Sequence, residues 1–137
     1  MLGESSLTLP WGSVRVVPAW HTSSTPKGTV STPAGLVVEL GGKRVYHLGD
    51  TALFSDLKIV KRYGRIDVAI MPIGGHYTMD RFDAVVAAEW VGADTIIPCH
   101  FGTFPPIETD AEGFKADVQN AGAGAVVILD PGDTHTV

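Results

Sequence analysis

Three short apolar runs, Asp67–Met71 (DVAIM), Thr95–Pro98 (TIIP) and Ala125–Leu129 (AVVIL), alternate with two stretches of helical periodicity at 80–91 and 110–121. Runs that lack polar alternation read as strands buried on both faces, and such strands interleaved with helices predict an α/β layer fold with helices on at least one face of the sheet. In the first helical stretch Phe82, Val85, Val86 and Trp90 share a face; in the second, Phe114, Val118 and Ala121 do. Thr109 with Glu112 three residues on reads as a capping box at the start of the second helix. A shorter helix is expected over Asp56–Tyr63.

Upstream, Leu36–Leu40 and Lys43–Leu48 flank the pair Gly41-Gly42, the signature of a β-hairpin whose two-residue turn needs positive φ. Before it, Val14–Pro18 (VRVVP) reads as a strand leading into the loop AWHTSSTPKGTVSTPAG, long enough to carry function. Internal repeats, low-complexity segments and linkers are absent, so residues 1–137 are expected to form a single domain.

Composition narrows the function classes. A net charge of −5 and a pI near 5.4 argue against a nucleic-acid footprint built from Lys and Arg. No apolar run approaches the ~20 residues that span a bilayer, and MLGESSL lacks the features of a signal peptide. The single Cys99 excludes an internal disulfide and suits a reducing compartment, so the expected location is cytoplasmic and the expected partner a small molecule, with no nucleic acid and no membrane.

Three times an apolar strand ends by presenting a possible metal ligand to a loop: His21 in VVPAWHTSS, Asp50 in YHLGDT and His100 in IIPCHFGTF. Ligands at strand ends on one rim of a sheet can converge, and His with carboxylate is a donor set for zinc, manganese or iron. Each position alone also has an ordinary reading as a hydrogen-bonded structural residue. Strand alternation places Tyr46, Leu48 and Asp50 on one face and His47 on the other, and separates Cys99 from His100, leaving Cys99 as a small buried hydrophobe. No G-x-S-x-G elbow activates Ser23 or Ser24, and PIGGHYTM has no phosphate-loop spacing.

The ordered set AWHTS, YHLGDTALFSDLK, MPIGGHYTMD and IIPCHFGTFP resembles the metallo-β-lactamase superfamily, specifically its UPF0173 branch of small metal-dependent hydrolases, from about Val14 onward. The resemblance implies an αββα sandwich, two mixed sheets face to face with helices outside, and metal-activated water attacking an ester, lactone or phosphoester. By it, His21 matches the third histidine of the first metal site, Asp50 the bridging aspartate and His100 the terminal histidine of the second site. His76, Thr51 and Gly102 are the residues it places on the pocket rim, a structural hydrogen-bonding role for His76 staying open. No catalytic group beyond the metal ligands is singled out. The metal implied is zinc first, with manganese or iron as alternatives.

One family signature is missing. H-x-H-x-D-H does not occur: the histidines are His21, His47, His76, His100 and His135, and no two stand at i, i+2. The sequence therefore resembles the C-terminal portion of such a hydrolase, a partial sandwich with a mixed sheet and helices on its outer face. Catalysis would then require ligands from a companion N-terminal fragment or a longer precursor. The alternative is a non-catalytic hydrolase remnant that serves as a binding or assembly module. Either way the strands VVPAW, GLVVEL, DVAIM, TIIP and AVVIL are expected to be apolar on both faces, so that an uncovered face drives formation of a homodimer or a complex with the companion fragment.

Overall fold

Seven strands join into one sheet in the order in which they occur along the chain, in a computed structural model that describes residues 6–28 and 30–137. Strands β1 (Ser6–Leu9), β2 (Gly12–Pro18), β3 (Ala34–Leu40) and β4 (Lys43–His47) form an antiparallel meander. Strands β5 (Val68–Pro72), β6 (Thr95–Cys99) and β7 (Ala125–Val126) continue the sheet in parallel from β4. Parallel neighbours require crossovers, and these are a 3-10 helix, Ser55–Tyr63, then helices α1 (Arg81–Val91) and α2 (Ala111–Ala121). None of these helices is long and apolar enough to cross a membrane.

The expected α/β fold with a mixed sheet is what the chain adopts, and local chemistry explains its details. The β3–β4 turn pairs Leu40 with Lys43 and holds Gly41 and Gly42 at φ 58° and 77°, a combination that matches the twist of the flanking strands and strains any residue with a Cβ. The segment Ser55–Tyr63 winds as a 3-10 helix: its apolar residues Leu57, Val60 and Tyr63 recur every third position, the repeat that 3-10 winding brings onto one face.

Three expectations are corrected. Strand β1, unpredicted, adds an edge to the sheet. The last strand covers only Ala125–Val126 of the expected Ala125–Leu129. The cap of α2 is Asp110, whose carboxylate accepts from the Gly113 N–H at 2.8 Å, while the Thr109 hydroxyl donates to the Ile73 carbonyl and ties α2 to the end of β5. An aspartate in the capping position satisfies the orphan N–H three residues on, here that of Gly113 instead of Glu112, and its charge suits the positive end of the helix.

Pairing registers sort the sheet into two unlike faces. On one, Val37, Tyr46, Ala69, Ile96 and Val126 stand in a single cross-strand row and pack with Leu57, Val60, Ala84, Ala87, Ala88, Phe114 and Val118 into the core between sheet and helices. Burial there raises the Tyr46 hydroxyl pKa far above its usual value, so it stays neutral. On the other face stand Leu7, Val14, Val16, Leu36, Val38, Val45, Ile70 and Ile97, half-buried or exposed, together with Val68, which is buried; none is part of that core. One apolar face is thus covered and the other is open.

Candidate metal centre

Asp50 follows β4, and His100 follows β6. Between them β5 ends in the loop Ile73-Gly74-Gly75-His76, whose first residues past Ile73 have no side chains, and the two polar groups meet: His100 Nε2 lies 3.8 Å from Asp50 Oδ2. Two ligands on one ion with bonds of about 2 Å are separated by at most ~4 Å. The pair therefore fits a shared cation, and its donor chemistry, one imidazole nitrogen and one carboxylate oxygen, suits zinc, manganese or iron. His100 Nδ1 is buried with no hydrogen-bond partner among the described residues, so no hydrogen bond of the chain commits either ring nitrogen. The meeting occurs at the carboxyl ends of parallel strands, where open α/β sheets gather their ligand sites.

Backbone conformation sets His100 apart. His76 and His100 have φ of 56° and 54°, the only positive values outside glycine among the described residues. Left-handed backbone costs about 1–2 kcal/mol for a residue with a Cβ, and such strain held by its surroundings gathers at functional sites. It also ends strand alternation at Cys99, so the sequence expectation that Cys99 and His100 point apart loses its basis. Cys99 is half-buried, and its thiol is pushed up to about 11, by burial first and by the charge of Asp50 second. It remains neutral near pH 7 and packs at the site as a small apolar group.

His21 reaches the rim through one buried threonine. Thr51, the one fully buried polar residue among the described residues, accepts the Trp20 N–H at 2.9 Å on its hydroxyl and donates that hydroxyl to the Ala52 carbonyl. The Ala52 N–H returns a bond to the Trp20 carbonyl, and the Met79 N–H donates to the Thr51 carbonyl. Residue 51 thereby ties together the loops that carry His21, Asp50 and His76. The His21 Nδ1 contacts the Thr22 carbonyl at 2.5 Å; as the N–H tautomer it donates there and leaves Nε2 with its lone pair. Among the described residues no three His, Cys, Asp or Glu side chains lie close enough to hold an ion, so Asp50 and His100 pair without His21 joining them.

The remaining histidines separate by role. His47 faces outward and its Nδ1 accepts the Gly49 N–H at 3.0 Å. His76 is exposed and stands edge-on to Tyr77, whose ring leans toward Phe104. Gly102 donates to the Ile107 carbonyl and shapes the loop after His100. His135 lies beyond β7 and shares no hydrogen bond or ion pair with the others among the described residues. Trp20, edge-to-face with Phe54 at 6.2 Å, and the Tyr77–Phe104 pair were not singled out from sequence; exposed aromatics beside strand ends were the available signal.

Thr51→Val keeps shape and removes the hydroxyl. It is expected to cost about 1–3 kcal/mol, the usual penalty of a buried N–H left without its acceptor, and to broaden or shift the His21 ring resonances, whereas Thr51→Ser retains both bonds. Denaturant titration and NMR of the two variants check this; equal behaviour of the Val and Ser variants would refute the bridging role.

A family model described as the beta-lactamase superfamily domain matches residues 3–101. The UPF0173 metal-dependent hydrolase of Symbiobacterium thermophilum is 47% identical over 131 residues, covering 93% of this chain and 57% of that protein. Its counterpart in Thermus thermophilus is 49% identical over 112 residues, covering 81% of this chain and 50% of that protein. Among solved structures, Igni18, a metallo hydrolase from the archaeon Ignicoccus hospitalis, matches with a TM-score of 0.85 at 35% identity, over 97% of this chain and 57% of that one. The chain spans about half the length of the curated relatives it matches. Matched along most of its length by the family and by the fold of its relatives, the chain belongs to the metallo-β-lactamase superfamily, in its UPF0173 branch.

Proposed function

We propose that this chain is the C-terminal portion of a metal-dependent hydrolase of the cytoplasm, contributing His21, Asp50 and His100 to a centre whose other ligands lie on a companion N-terminal segment. The observation that carries the reading is the approach of His100 Nε2 to Asp50 Oδ2 at 3.8 Å across the glycine-rich end of β5. A divalent ion bound there, zinc first, would supply Lewis acidity toward a carbonyl and water. Asp50 and His100 would hold it, and Thr51 sets the reach of the His21 loop. His76, Thr51 and Gly102 belong to the rim.

The rim loops also favour one substrate class. Residues 19–25, 49–54, 74–79 and 99–104 contain no Lys or Arg but include Trp20, Phe54, Tyr77, Phe101 and Phe104. A phosphoester is usually met by such cations, whereas a neutral ester or lactone with an apolar group is met by aromatic surface. We therefore favour the neutral ester or lactone. The alternative of a non-catalytic binding module draws on the absence of any three-ligand cluster among the described residues.

Calorimetric titration with Zn²⁺ tests the site in the chain as it stands. Weak binding is expected, reduced about tenfold or more by Asp50→Ala or His100→Ala, since two or three ligands fall short of a closed zinc site. Tight uptake of two ions by this chain alone would contradict the assignment of missing ligands elsewhere. Joining the chain to the N-terminal half of the Symbiobacterium relative then separates the readings: metal-dependent cleavage of a neutral aryl ester supports the hydrolase, and a metal-free, inactive fusion supports the binding module.

A further inference from the structure

The helix-facing side of the antiparallel half-sheet contains a cavity of about 240 Å³ that the metal centre does not use. Two cross-strand rows build it. Ser6 and Arg15 pair in register on β1 and β2, and Ser13, Glu39 and Arg44 stand across β2, β3 and β4. The end of the 3-10 helix closes it with Arg62 and Tyr63. The first row runs on into the core, since Arg15 pairs with Val37 and Val37 with Tyr46, both buried; Val37 thus forms the apolar side of the cavity, and the second row carries only polar and charged side chains. Ser6 and Arg62 are exposed and Ser13, Arg15, Glu39 and Arg44 half-buried, so the polar lining is open to an incoming solute.

The lining is rich in donors. Glu39 is the one carboxylate among the described lining residues, and Arg44 Nη2 already holds it at 2.8 Å while Nη1 donates to the Arg65 carbonyl. Two of the five N–H groups of that guanidinium are thus engaged. The Arg15 guanidinium lies 4.2 Å over the Tyr63 ring. Arg62 has no carboxylate partner among the described residues. Guanidinium groups in a concave pocket, with Ser6 and Ser13 hydroxyls at its floor, match an oxyanion that accepts several hydrogen bonds at once.

We infer that this cavity is a binding site for a small doubly charged oxyanion, a phosphate group or a dicarboxylate, held by Arg62, Arg44 and the serine hydroxyls. It is distinct from the metal centre: Arg44 is the second residue of β4, whereas Asp50 follows its far end, and the three steps from Arg44 to His47 alone span ~10 Å of strand. The site therefore stands whether or not the chain proves to be part of a hydrolase.

The test titrates the 137-residue chain with inorganic phosphate and, separately, with succinate, following amide shifts and melting temperature against NaCl at equal ionic strength. Saturable shifts in β1, β2 and β4 are expected, with a rise in melting temperature, and the arm that binds more tightly identifies the anion class. Arg62→Glu is expected to weaken binding about tenfold or more, as loss of a charge-assisted contact and introduction of a like charge should. Lys115→Glu, the same charge change on α2, is expected to leave it unaltered. Shifts no larger than those from NaCl, or equal losses in the two variants, would overturn the site.

Discussion

Purified on its own, the 137-residue chain is expected to associate through the open face of its sheet. Leu7, Leu36 and Leu40 on that face are 60%, 41% and 55% exposed, and Val14, Val16, Val38, Val45, Ile70 and Ile97 around them are only half-buried. Soluble monomers carry contiguous apolar surface only up to about a few hundred Å², and nine apolar side chains on one sheet face make a patch of the kind that is normally covered. Covering ~800 Å² per partner at about 25 cal/mol per Å² outweighs the ordinary cost of association. In the superfamily such a face meets a second sheet, and the matches cover only 57% and 50% of the relatives' own length, so the expected occupant is the N-terminal segment, with a second copy taking its place when none is supplied. Light scattering at micromolar concentration checks this. Leu36→Lys, in the middle of the face, is expected to shift the equilibrium toward monomer by a large factor without unfolding the helical side. A monodisperse wild-type monomer that binds no hydrophobic dye would show that the face needs no cover.

The association rests on a face that sequence anticipated only in part. The runs DVAIM and TIIP are apolar on both sides, as expected, because they lie in the middle of the sheet with α1 packed above them. In VRVVP and GLVVEL the pattern is split. Val14, Val16, Leu36 and Val38 make the open side, while Arg15 and Glu39 face the helices, so strand alternation within those two runs held the distinction between the faces. The hairpin was legible because Gly41-Gly42 permits few alternatives, and the span of α1 because Asp80 caps it, accepting from the Phe82 and Asp83 N–H groups at 2.9 Å; its buried face, however, is Ala84, Ala87, Ala88 and Val91 rather than the expected Phe82, Val85, Val86 and Trp90, since small side chains let the helix lie close on the sheet. Strand β1 was not legible: Ser6–Leu9 owes its form to pairing with β2 rather than to its own propensity.

At the candidate site, residue type and strand-end placement singled out Asp50 and His100, whose proximity depends on two adjacent strand ends. The role of Thr51 depends on partners 31 residues away and left no local trace. The left-handed turn at His100 likewise belongs to tertiary packing: Cys99 and His100 read from sequence as a continuing strand, whereas the backbone breaks there because β5's loop presses against it.

That pressing contact makes Gly74 a residue whose substitution disturbs the rim directly at His100. A Cβ at position 74 would fall well inside contact distance of the His100 carbonyl oxygen and 2.9 Å from Ile107 Cβ, with backbone rather than a flexible side chain in the way. Gly74 is buried, and the bond from the Ile73 N–H to the Cys99 carbonyl holds the same two segments together, so neither can retreat without breaking it. Gly74→Ala is expected to destabilise the fold by about 3 kcal/mol, the upper range for overpacking a close contact. It should also pull His100 away from Asp50, seen as altered His100 ring resonances and a loss of Zn²⁺ affinity larger than that of Gly102→Ala, where the Cβ meets nothing within 4 Å and only the backbone strain of φ 70° is added. Denaturant melts and calorimetry on the two variants check both effects. Wild-type stability together with unchanged His100 resonances in Gly74→Ala would mean that β5 and β6 do not meet at this point, and the pairing of Asp50 with His100 would lose its structural support.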